Sequence, residues 1–309
     1  MLTFFTTPKP FAGHINIIQR NAIRSWQLVH PGVEVILFGN EPGAAEACGE
    51  LGIRHIPEVR RNRHGTKYLA GIFDQAQKIA AHDVLCYVNC DILLMSDFGR
   101  AVESVSMLQK RFLLAGRRWD VDLPHALDFQ RANWQEELRR LALTTNRRRP
   151  AQWIDYFVFT KDLYHGKIPE FVIGRPGWDN WLIWFALSAG VPVVDVSKDV
   201  CAVHQNHDYS YHPEGESGVW QGEEAQENYR LLESGSKFRT LDSAEYILQS
   251  GQLRRNYARW LVLPGRYLRG WFYSAWFAAL KLTRPLRHRL GLKQESVGPA
   301  WRRWRVPRQ

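Results

Sequence analysis

Short apolar runs alternate with longer amphipathic stretches over about the first 95 residues of the chain. Runs of Val, Ile, Leu and Phe predict strands, and apolar positions three or four residues apart predict helices. The pattern gives the order βαβαβαβ, with strands at 2–6, 33–38, 53–56 and 85–88 and helices at 15–28, 44–51 and 67–81. This order predicts an α/β fold with a mainly parallel nucleotide-binding sheet flanked by helices. No GxGxxG motif follows the first strand, which disfavours a dinucleotide cofactor.

The middle of the chain continues the predicted sheet with one long interruption. Further strands are predicted at 112–116, 155–159 and 191–196, and an apolar helix is predicted from 178 to about 188. Between the first two of these strands, the Arg-rich, polar stretch 117–152 contains a predicted helix over 133–143. We interpret this stretch either as an excursion that faces a substrate or as a solvated loop and helix.

Beyond residue 213 the patterns weaken. Residues 214–222 form a polar, Gly-containing stretch, which predicts either a loop that closes over a ligand or a passive linker. Residues 226–233 and 243–248 are predicted to be short helices.

Length and composition indicate a globular protein. A chain of 309 residues with 45% hydrophobic residues can bury a sizeable core. Its four cysteines form no CxxC pair and two lie at a predicted strand, so we predict reduced, buried thiols rather than disulfides or zinc ligands. The N-terminal strand pattern lacks the charged region and apolar core of a secretion signal, so we expect a cytoplasmic protein.

The net charge of +10 is concentrated at one end of the chain. Residues 253–309 carry 14 Lys and Arg and one acidic residue, whereas residues 1–252 carry 27 basic and 30 acidic residues. The same segment holds five tryptophans and an apolar run at 271–282, which is too short to cross a bilayer. We predict a helical, basic extension that lies on an anionic membrane surface. Packing on the body or on a partner protein is the alternative, and we expect no nucleic acid partner because nothing in the body supports one.

The first candidate site is Asn89-Cys90-Asp91, which directly follows an apolar strand. A carboxylate there lies at the carboxyl edge of the sheet, where open α/β folds bind ligands. Mg²⁺ and Mn²⁺ are usually held by one or two protein carboxylates together with substrate phosphates, so Asp91 is a candidate metal ligand. A turn at the strand end is the alternative role for this pair.

The second candidate is a turn containing two glycines that leads into the helix at 178–188. Asp179 at the helix start is a candidate base for an attacking hydroxyl, and helix capping is its alternative role. Arg175 offers a guanidinium fork for phosphate, and Trp178 is predicted to wall the pocket.

The third candidate is the histidine-rich segment 202–212, interpreted as a loop. It contains His204, His207, Asp208 and His212. Imidazole suits Mn²⁺ and Zn²⁺ alike, but a structural zinc site needs a closed set of N and S ligands, and no cysteine pair is nearby. We therefore favour a histidine that completes the metal site begun by Asp91.

The order of these motifs resembles the GT-A fold glycosyltransferases, in particular bacterial polysaccharide-assembling members. The resemblance covers roughly residues 1–215 and rests on Asn89-Cys90-Asp91, the strand at 155–159, the turn at 174–181 and the segment 203–210. It implies a nucleotide-diphosphate-sugar donor, a divalent metal, either Mn²⁺ or Mg²⁺, and a glycan or lipid-linked saccharide acceptor.

The resemblance also implies roles for individual residues. Asn89 and Asp91 stand at the DxD motif, in which Asn89 departs from the first Asp, and His204 or His207 completes the metal site. Asp179 takes the place of the base in inverting transfer. Residues expected at the nucleotide and diphosphate are Thr6, Thr7, Pro8, Lys67 and Arg175. Residues expected at sugar or acceptor groups are Trp119, Asp120, Asp122, Asp155, Trp178 and Asn180.

We therefore predict a metal-dependent glycosyltransferase that is peripheral on the inner face of the membrane. Residues 1–215 are predicted to form the transferase domain, 216–252 a loop with short helices, and 253–309 the basic extension. One alternative is a sugar nucleotidyltransferase, but the Gly-rich loop expected after the first strand has only one glycine here. The other is a non-catalytic, membrane-associated carbohydrate-binding protein.

Overall fold

The computed structural model describes residues 1–208 and 214–259. Contacts divide the chain into Met1–Asn256 and Tyr257–Gln309. The predicted membrane contact of the basic extension, its five tryptophans and His212 lie outside the described residues. Among the residues that are described, no helix is long and apolar enough to cross a membrane.

The strands and helices of the first unit follow one another in mixed order. The strands are β1 (Thr3–Thr6), β2 (Glu34–Phe38), β3 (Arg54–Ile56), β4 (Val84–Val88), β5 (Ile92–Leu93), β6 (Leu113–Ala115), β7 (Arg118–Val121), β8 (Tyr156–Thr160), β9 (Val193–Asp195), β10 (Ala202–Gln205), β11 (Tyr246–Gln249) and β12 (Gln252–Arg255). The helices are α1 (Gly13–Gln27), α2 (Ala44–Leu51), α3 (Leu69–Ile79), α4 (Ser96–Leu108), α5 (Trp134–Thr145), α6 (Trp178–Ser188), α7 (Gly215–Gln221) and α8 (Glu223–Leu231).

Nine strands form one sheet in the order β12-β11-β9-β6-β8-β4-β1-β2-β3. Strands β1 to β4 pair in parallel, as do β6 with β9 and β9 with β11. Only β8 and β12 run antiparallel to their neighbours in this sheet. The predicted α/β class with a mainly parallel sheet is therefore confirmed.

Helices cover both faces of this sheet because successive side chains of a strand point to opposite sides. Phe5 packs in a cluster with residues of α3 and α6, whereas Phe4 packs in a second cluster with residues of α1, α2 and α4. All four cysteines are buried and free, as predicted.

A second sheet of three strands, in the order β5-β10-β7, corrects two predictions. The stretch 117–152 is not only a solvated loop and helix, because it begins with the largely buried strand β7, whose Val121 packs against α5. The histidine-rich segment does not begin as a loop, since residues 202–205 form β10 between β5 and β7. We call this second sheet the small sheet.

Three further predictions of local structure are wrong. Residues 215–221 form helix α7 where a loop was expected, and the helix predicted at 243–248 contains strand β11. Because β11 and β12 extend the nine-stranded sheet, the sheet continues past the predicted domain boundary at residue 215. Helix α3 begins at Leu69, two residues late, since Tyr68 is extended and bridges to Val172.

Candidate active site

The small sheet places three candidate side chains at the end of β4. Asp91 lies between β4 and β5. On β10, His204 is paired with Ile92 of β5 on one side and with Asp120 of β7 on the other. Neighbouring strands lie about 4.8 Å apart, so this register alone brings Asp91, His204 and Asp120 close together.

Asp91, His204 and His207 form a cluster whose ligand atoms all lie within 4.8 Å of one another. The Nε2 atoms of His207 and His204 lie 3.2 Å and 3.9 Å from Asp91 Oδ2. All three side chains are at most 13% exposed. The structure thus unites two motifs that are more than 110 residues apart in the sequence.

The chemistry of this cluster fits a divalent metal ion. Asp91 Oδ1 is buried and accepts no hydrogen bond from the described residues. Burial acts to raise the pKa of Asp91, but His204, His207 and Lys9 outweigh it and hold that pKa well below its usual range, so the carboxyl is ionised. Two imidazoles and one carboxylate suit Mn²⁺ better than Mg²⁺, which prefers oxygen ligands.

Asn89 does not share in this cluster. Its Nδ2 donates to Asp155 Oδ1 at 2.7 Å, and its Oδ1 accepts a hydrogen bond from the Tyr87 hydroxyl at 3.2 Å. These contacts correct the predicted pairing of Asn89 with Asp91. Asn89 instead positions Asp155.

A buried ion network lies behind the cluster. Arg118 Nη1 contacts Asp155 Oδ2 at 2.5 Å, and Arg118 Nε contacts Asp120 Oδ1 at 3.1 Å. Asp120 also binds Arg149 at 2.5 Å and lies 3.5 Å from His204 Nδ1. A carboxylate behind a histidine orients the imidazole and makes it a better ligand. Asp120 and Asp155 thus have charged partners within the chain, and the sugar contacts predicted for them stay predictions.

Asp179 lies in the first turn of α6, after Gly177 at the N-cap. Gly177 has a φ of +100°, in the left-handed region that favours glycine, and a Cβ there would lie 2.8 Å from the end of the Leu232 side chain, which would have to shift. Burial raises the pKa of Asp179 to about 7; the backbone of Asn180 opposes this and Asp155 adds to it. A carboxyl with a pKa near neutrality suits a general base at neutral pH.

The neighbours of Asp179 on α6 serve the core. Trp178 is 5% exposed and packs against the rings of Tyr87 and Phe157, with centroid distances of 5.4 Å and 5.7 Å. Asn180 is buried and donates from Nδ2 to the carbonyl of Arg239 at 3.0 Å. The predicted sugar contacts of Trp178 and Asn180 stay predictions, and each would have to be made from a largely buried side chain.

Arg175 contacts α8 rather than an open phosphate site. Its Nη2 lies 2.5 Å from Glu224 Oε2, its Nη1 donates to the carbonyl of Gly174, and its side chain is only 8% exposed. The predicted phosphate contact would require this buried ion pair to break.

The end of β1 and Lys67 form a closed polar cluster. Lys67 Nζ lies 2.5 Å from Glu41 Oε1, 2.6 Å from Thr7 Oγ1 and 2.8 Å from the Pro8 carbonyl. Burial lowers the pKa of Lys67 to about 8, and Glu41 opposes that effect. Thr6 is buried and donates to a backbone carbonyl at the end of β4. These groups line the carboxyl end of β1. Their contact with a nucleotide stays a prediction.

Two predicted acceptor residues lie at the rim of the small sheet. Asp122 is 70% exposed and pairs with Arg147 at 3.0 Å. Trp119 is half-buried, with the Arg148 guanidinium carbon 5.6 Å from its ring centroid. Both side chains are accessible from solvent, and their contact with an acceptor stays a prediction.

Lys9 was not predicted from the sequence, yet it contacts the cluster directly. Its Nζ lies 2.7 Å from His207 Nε2 and 3.6 Å from Asp91 Oδ2. One feature of the sequence could have identified Lys9: it lies between Pro8 and Pro10, directly after the carboxyl end of the first strand. Asp91 was expected at the same edge of the sheet.

No family model matches this chain, and no curated protein matches its sequence. Solved structures do show similarity. S. aureus TarS 1-349 in complex with UDP-GlcNAc is 10% identical with a TM-score of 0.45, over 67% of this chain and 59% of that one. The mannosyltransferase PcManGT from Pyrobaculum calidifontis, in complex with GDP-Man and Mn²⁺, is 14% identical with a TM-score of 0.43, over 68% and 58%.

A third similar structure is glucosyl-3-phosphoglycerate synthase from Mycobacterium tuberculosis, in complex with Mn²⁺, UDP and glucosyl-3-phosphoglycerate. It is 13% identical with a TM-score of 0.37, over 67% of this chain and 72% of that one. The chain spans less than two thirds of the length of TarS 1-349 and of PcManGT. Such low identities and TM-scores leave the assignment of function to the geometry of the site itself.

Proposed function

We propose that this protein is a metal-dependent glycosyltransferase of the GT-A type, moving a sugar from a nucleotide-diphosphate donor to a hydroxyl of a glycan or lipid-linked acceptor. One observation carries the proposal. Asp91, His204 and His207 converge at the end of β4, and a chain of buried charges runs from His204 through Asp120 and Arg118 to Asp155. The charge of Asp155 contributes to the pKa of about 7 at the Asp179 carboxyl. Sugar transfer from a diphosphate requires both a cation site and a base that acts at neutral pH.

Asp91, His204 and His207 would hold the metal. Bound there, a divalent ion supplies Lewis-acid stabilisation of the negative charge on the leaving diphosphate. Asp120 keeps the imidazole of His204 oriented, and Arg118 holds Asp120 and Asp155 in place. The site is thus supported by buried contacts that need no ligand to form.

Asp179 would accept the proton of the acceptor hydroxyl. As that O–H bond breaks, the acceptor oxygen forms a bond to the anomeric carbon, and the bond from that carbon to the diphosphate oxygen breaks. The electron pair leaves with the nucleoside diphosphate, and the sugar is transferred with inversion. A pKa of about 7 leaves about half of the Asp179 side chains ionised at neutral pH.

The test is donor turnover by the full chain. Purified protein is incubated with UDP-, GDP- and TDP-sugars in the presence of Mn²⁺, Mg²⁺, Zn²⁺ or Fe²⁺, the last two because two histidines and a carboxylate also suit them. We expect slow, Mn²⁺-dependent release of nucleoside diphosphate from one donor class, abolished in Asp91→Ala. The matched control is Asp74→Asn, an exposed carboxylate on α3.

Other outcomes contradict the proposal. Exchange of pyrophosphate into the donor indicates a nucleotidyltransferase, and binding of donor without release indicates a carbohydrate-binding protein. Release of nucleoside diphosphate that survives both EDTA and Asp91→Ala excludes the assigned metal site.

A further inference from the structure

The backbone of Lys9 is fixed by two hydrogen bonds to one buried side chain. Its N–H donates to Gln19 Oε1 at 2.7 Å, and its carbonyl accepts from Gln19 Nε2 at 3.0 Å. Gln19 is buried on α1, and prolines 8 and 10 restrict the backbone on both sides. The two hydrogen bonds and the prolines together aim the side chain at one place.

The Lys9 side chain points at His207 Nε2, the atom through which His207 would bind a metal ion. His207 Nδ1 lies 2.7 Å from the carbonyl of Asp208, which can only accept, so Nδ1 carries the proton. Nε2 lies 2.7 Å from Lys9 Nζ and 3.2 Å from Asp91 Oδ2. A metal ion held by His207 Nε2 and Asp91 Oδ2 would occupy the same space as the Lys9 ammonium. His207 therefore cannot contact Lys9 and bind a metal ion through Nε2 at the same time.

The charge of Lys9 matters as well. Burial lowers the pKa of Lys9 below its ordinary value, and Asp91 opposes that effect. Paired with the ionised Asp91, the ammonium lies 3.6 Å from Asp91 Oδ2 and neutralises part of the negative charge that would attract a cation. A cavity of about 30 Å³ adjoins Lys9, Asp91 and Gln19, which is room for an ion or a few water molecules but not for a second basic group. With its backbone fixed, Lys9 can yield the position only by swinging its four-carbon chain.

We propose that Lys9 is an internal counter-cation of the metal site, which opposes binding of the free divalent ion and moves onto the donor diphosphate when metal and nucleotide bind together. The diphosphate half of this statement rests on the proposed function. The arrangement favours binding of metal together with nucleotide over binding of metal alone, because the diphosphate offers the displaced ammonium a new anionic partner.

The first test measures binding of Mn²⁺ alone to the full chain, by calorimetry and by the loss of the free Mn²⁺ electron paramagnetic resonance signal. In Lys9→Met we expect Mn²⁺ affinity to rise about tenfold, since a positive charge in contact with the ligands is removed. Lys9→Gln, which keeps a polar end without charge, should behave alike and covers a folding failure of Lys9→Met. The matched control is Lys161→Met, next to Asp83 at the opposite edge of the sheet. Unchanged or weaker Mn²⁺ binding in both Lys9 variants, with native melting temperatures, overturns the proposal.

The second test measures UDP and GDP affinity at saturating Mn²⁺. We expect the Lys9 variants to bind the nucleoside diphosphate about tenfold more weakly, because a charge-assisted contact is lost. Stronger Mn²⁺ binding with unchanged nucleotide affinity overturns the movement of Lys9 onto the diphosphate. If the unaltered chain binds neither nucleotide, the proposed function fails, whereas the counter-cation role is still judged by Mn²⁺ alone.

Discussion

The small sheet and the start of α6 both carry residues with candidate site chemistry, but the fold uses them differently. On the small sheet, Asp91 and His204 converge and Asp91 keeps an oxygen without a hydrogen bond from the described residues. At the start of α6, Trp178 and Asn180 are buried in packing contacts, and Asp179 has a carboxyl whose pKa suits a base. Successive side chains of a strand face opposite sides of the sheet, whereas an apolar helix in the core buries most of its side chains.

The comparison between the small sheet and the start of α6 shows which neighbours of a reactive residue belong to the site. On a strand end, residues that are near in space come from neighbouring strands and share the edge. On a buried helix, residues that are near in sequence serve packing. Mutations at these two places should therefore separate chemistry from stability.

The largest expected effect is on turnover. Asp179→Asn should lower kcat about 10² to 10⁴-fold while leaving nucleotide affinity unchanged, because it removes the proposed base and keeps the shape of the side chain. Initial rates with the best donor and calorimetry with its nucleoside diphosphate measure the two quantities. Near-normal turnover in this variant would remove Asp179 from the reaction.

The next effect is on folding. Trp178→Ala should reduce the free energy of unfolding by about 3–5 kcal/mol, since a fully packed indole is lost from the core. Trp119→Ala, a half-buried indole on the small sheet, should cost about 1 kcal/mol. Chemical denaturation of both variants makes the comparison, and equal losses would contradict the different packing of the two regions.

A smaller effect is expected behind the metal ligands. Asp120→Asn should weaken Mn²⁺ binding about 10 to 100-fold, because the carboxylate that orients His204 becomes a neutral amide. Mn²⁺ titration of the folded variant measures this effect. An unchanged affinity would show that His204 is oriented without Asp120.

The smallest effect is a dependence of stability on pH. The pKa of Asp179 is about 7 in the folded chain and its ordinary value is 3.8, so the folded state holds the proton more tightly. Its contribution to stability is complete below about pH 4 and is lost as the pH rises through 7. Asp155 and the ring of Tyr229 are the titratable groups that act with it. We therefore compare the melting temperature of Asp179→Asn with that of the unaltered chain at two pH values. The difference should favour the variant more at pH 8 than at pH 5. An identical difference at both pH values would contradict the raised pKa.

The strands and helices of the first 95 residues could be predicted because their apolar periods are long and regular. Asp91 could be predicted for the same reason, since the strand before it is unmistakably apolar. Strand β10 was missed because four residues that include His204 and Gln205 carry no clear alternation, and its partners are β5, more than 100 residues earlier, and β7. Strand β10 is thus stabilised by pairing with distant segments, which the local sequence pattern does not show.

The errors at single residues have the same origin. Arg175 appears available in the sequence, but Glu224, 49 residues later, neutralises it. Lys9 has the sequence context of an ordinary loop lysine, and the fold places it beside His207, 198 residues later. Charge partners of this kind follow from the folded topology and are invisible to a local reading.

The register of strand β10 decides which of its side chains reaches the candidate metal site. Val203 and His204 are adjacent, and only the present register turns the imidazole toward Asp91 and Asp120 while Val203 packs with Leu93 and Leu138. Inserting or deleting one residue in the turn before Ala202 would exchange these two roles, with an aliphatic side chain at the ion and an imidazole in the apolar layer. The position of His204 at the site therefore depends on the number of residues in that turn, and changes of residue type there leave the register of β10 in place.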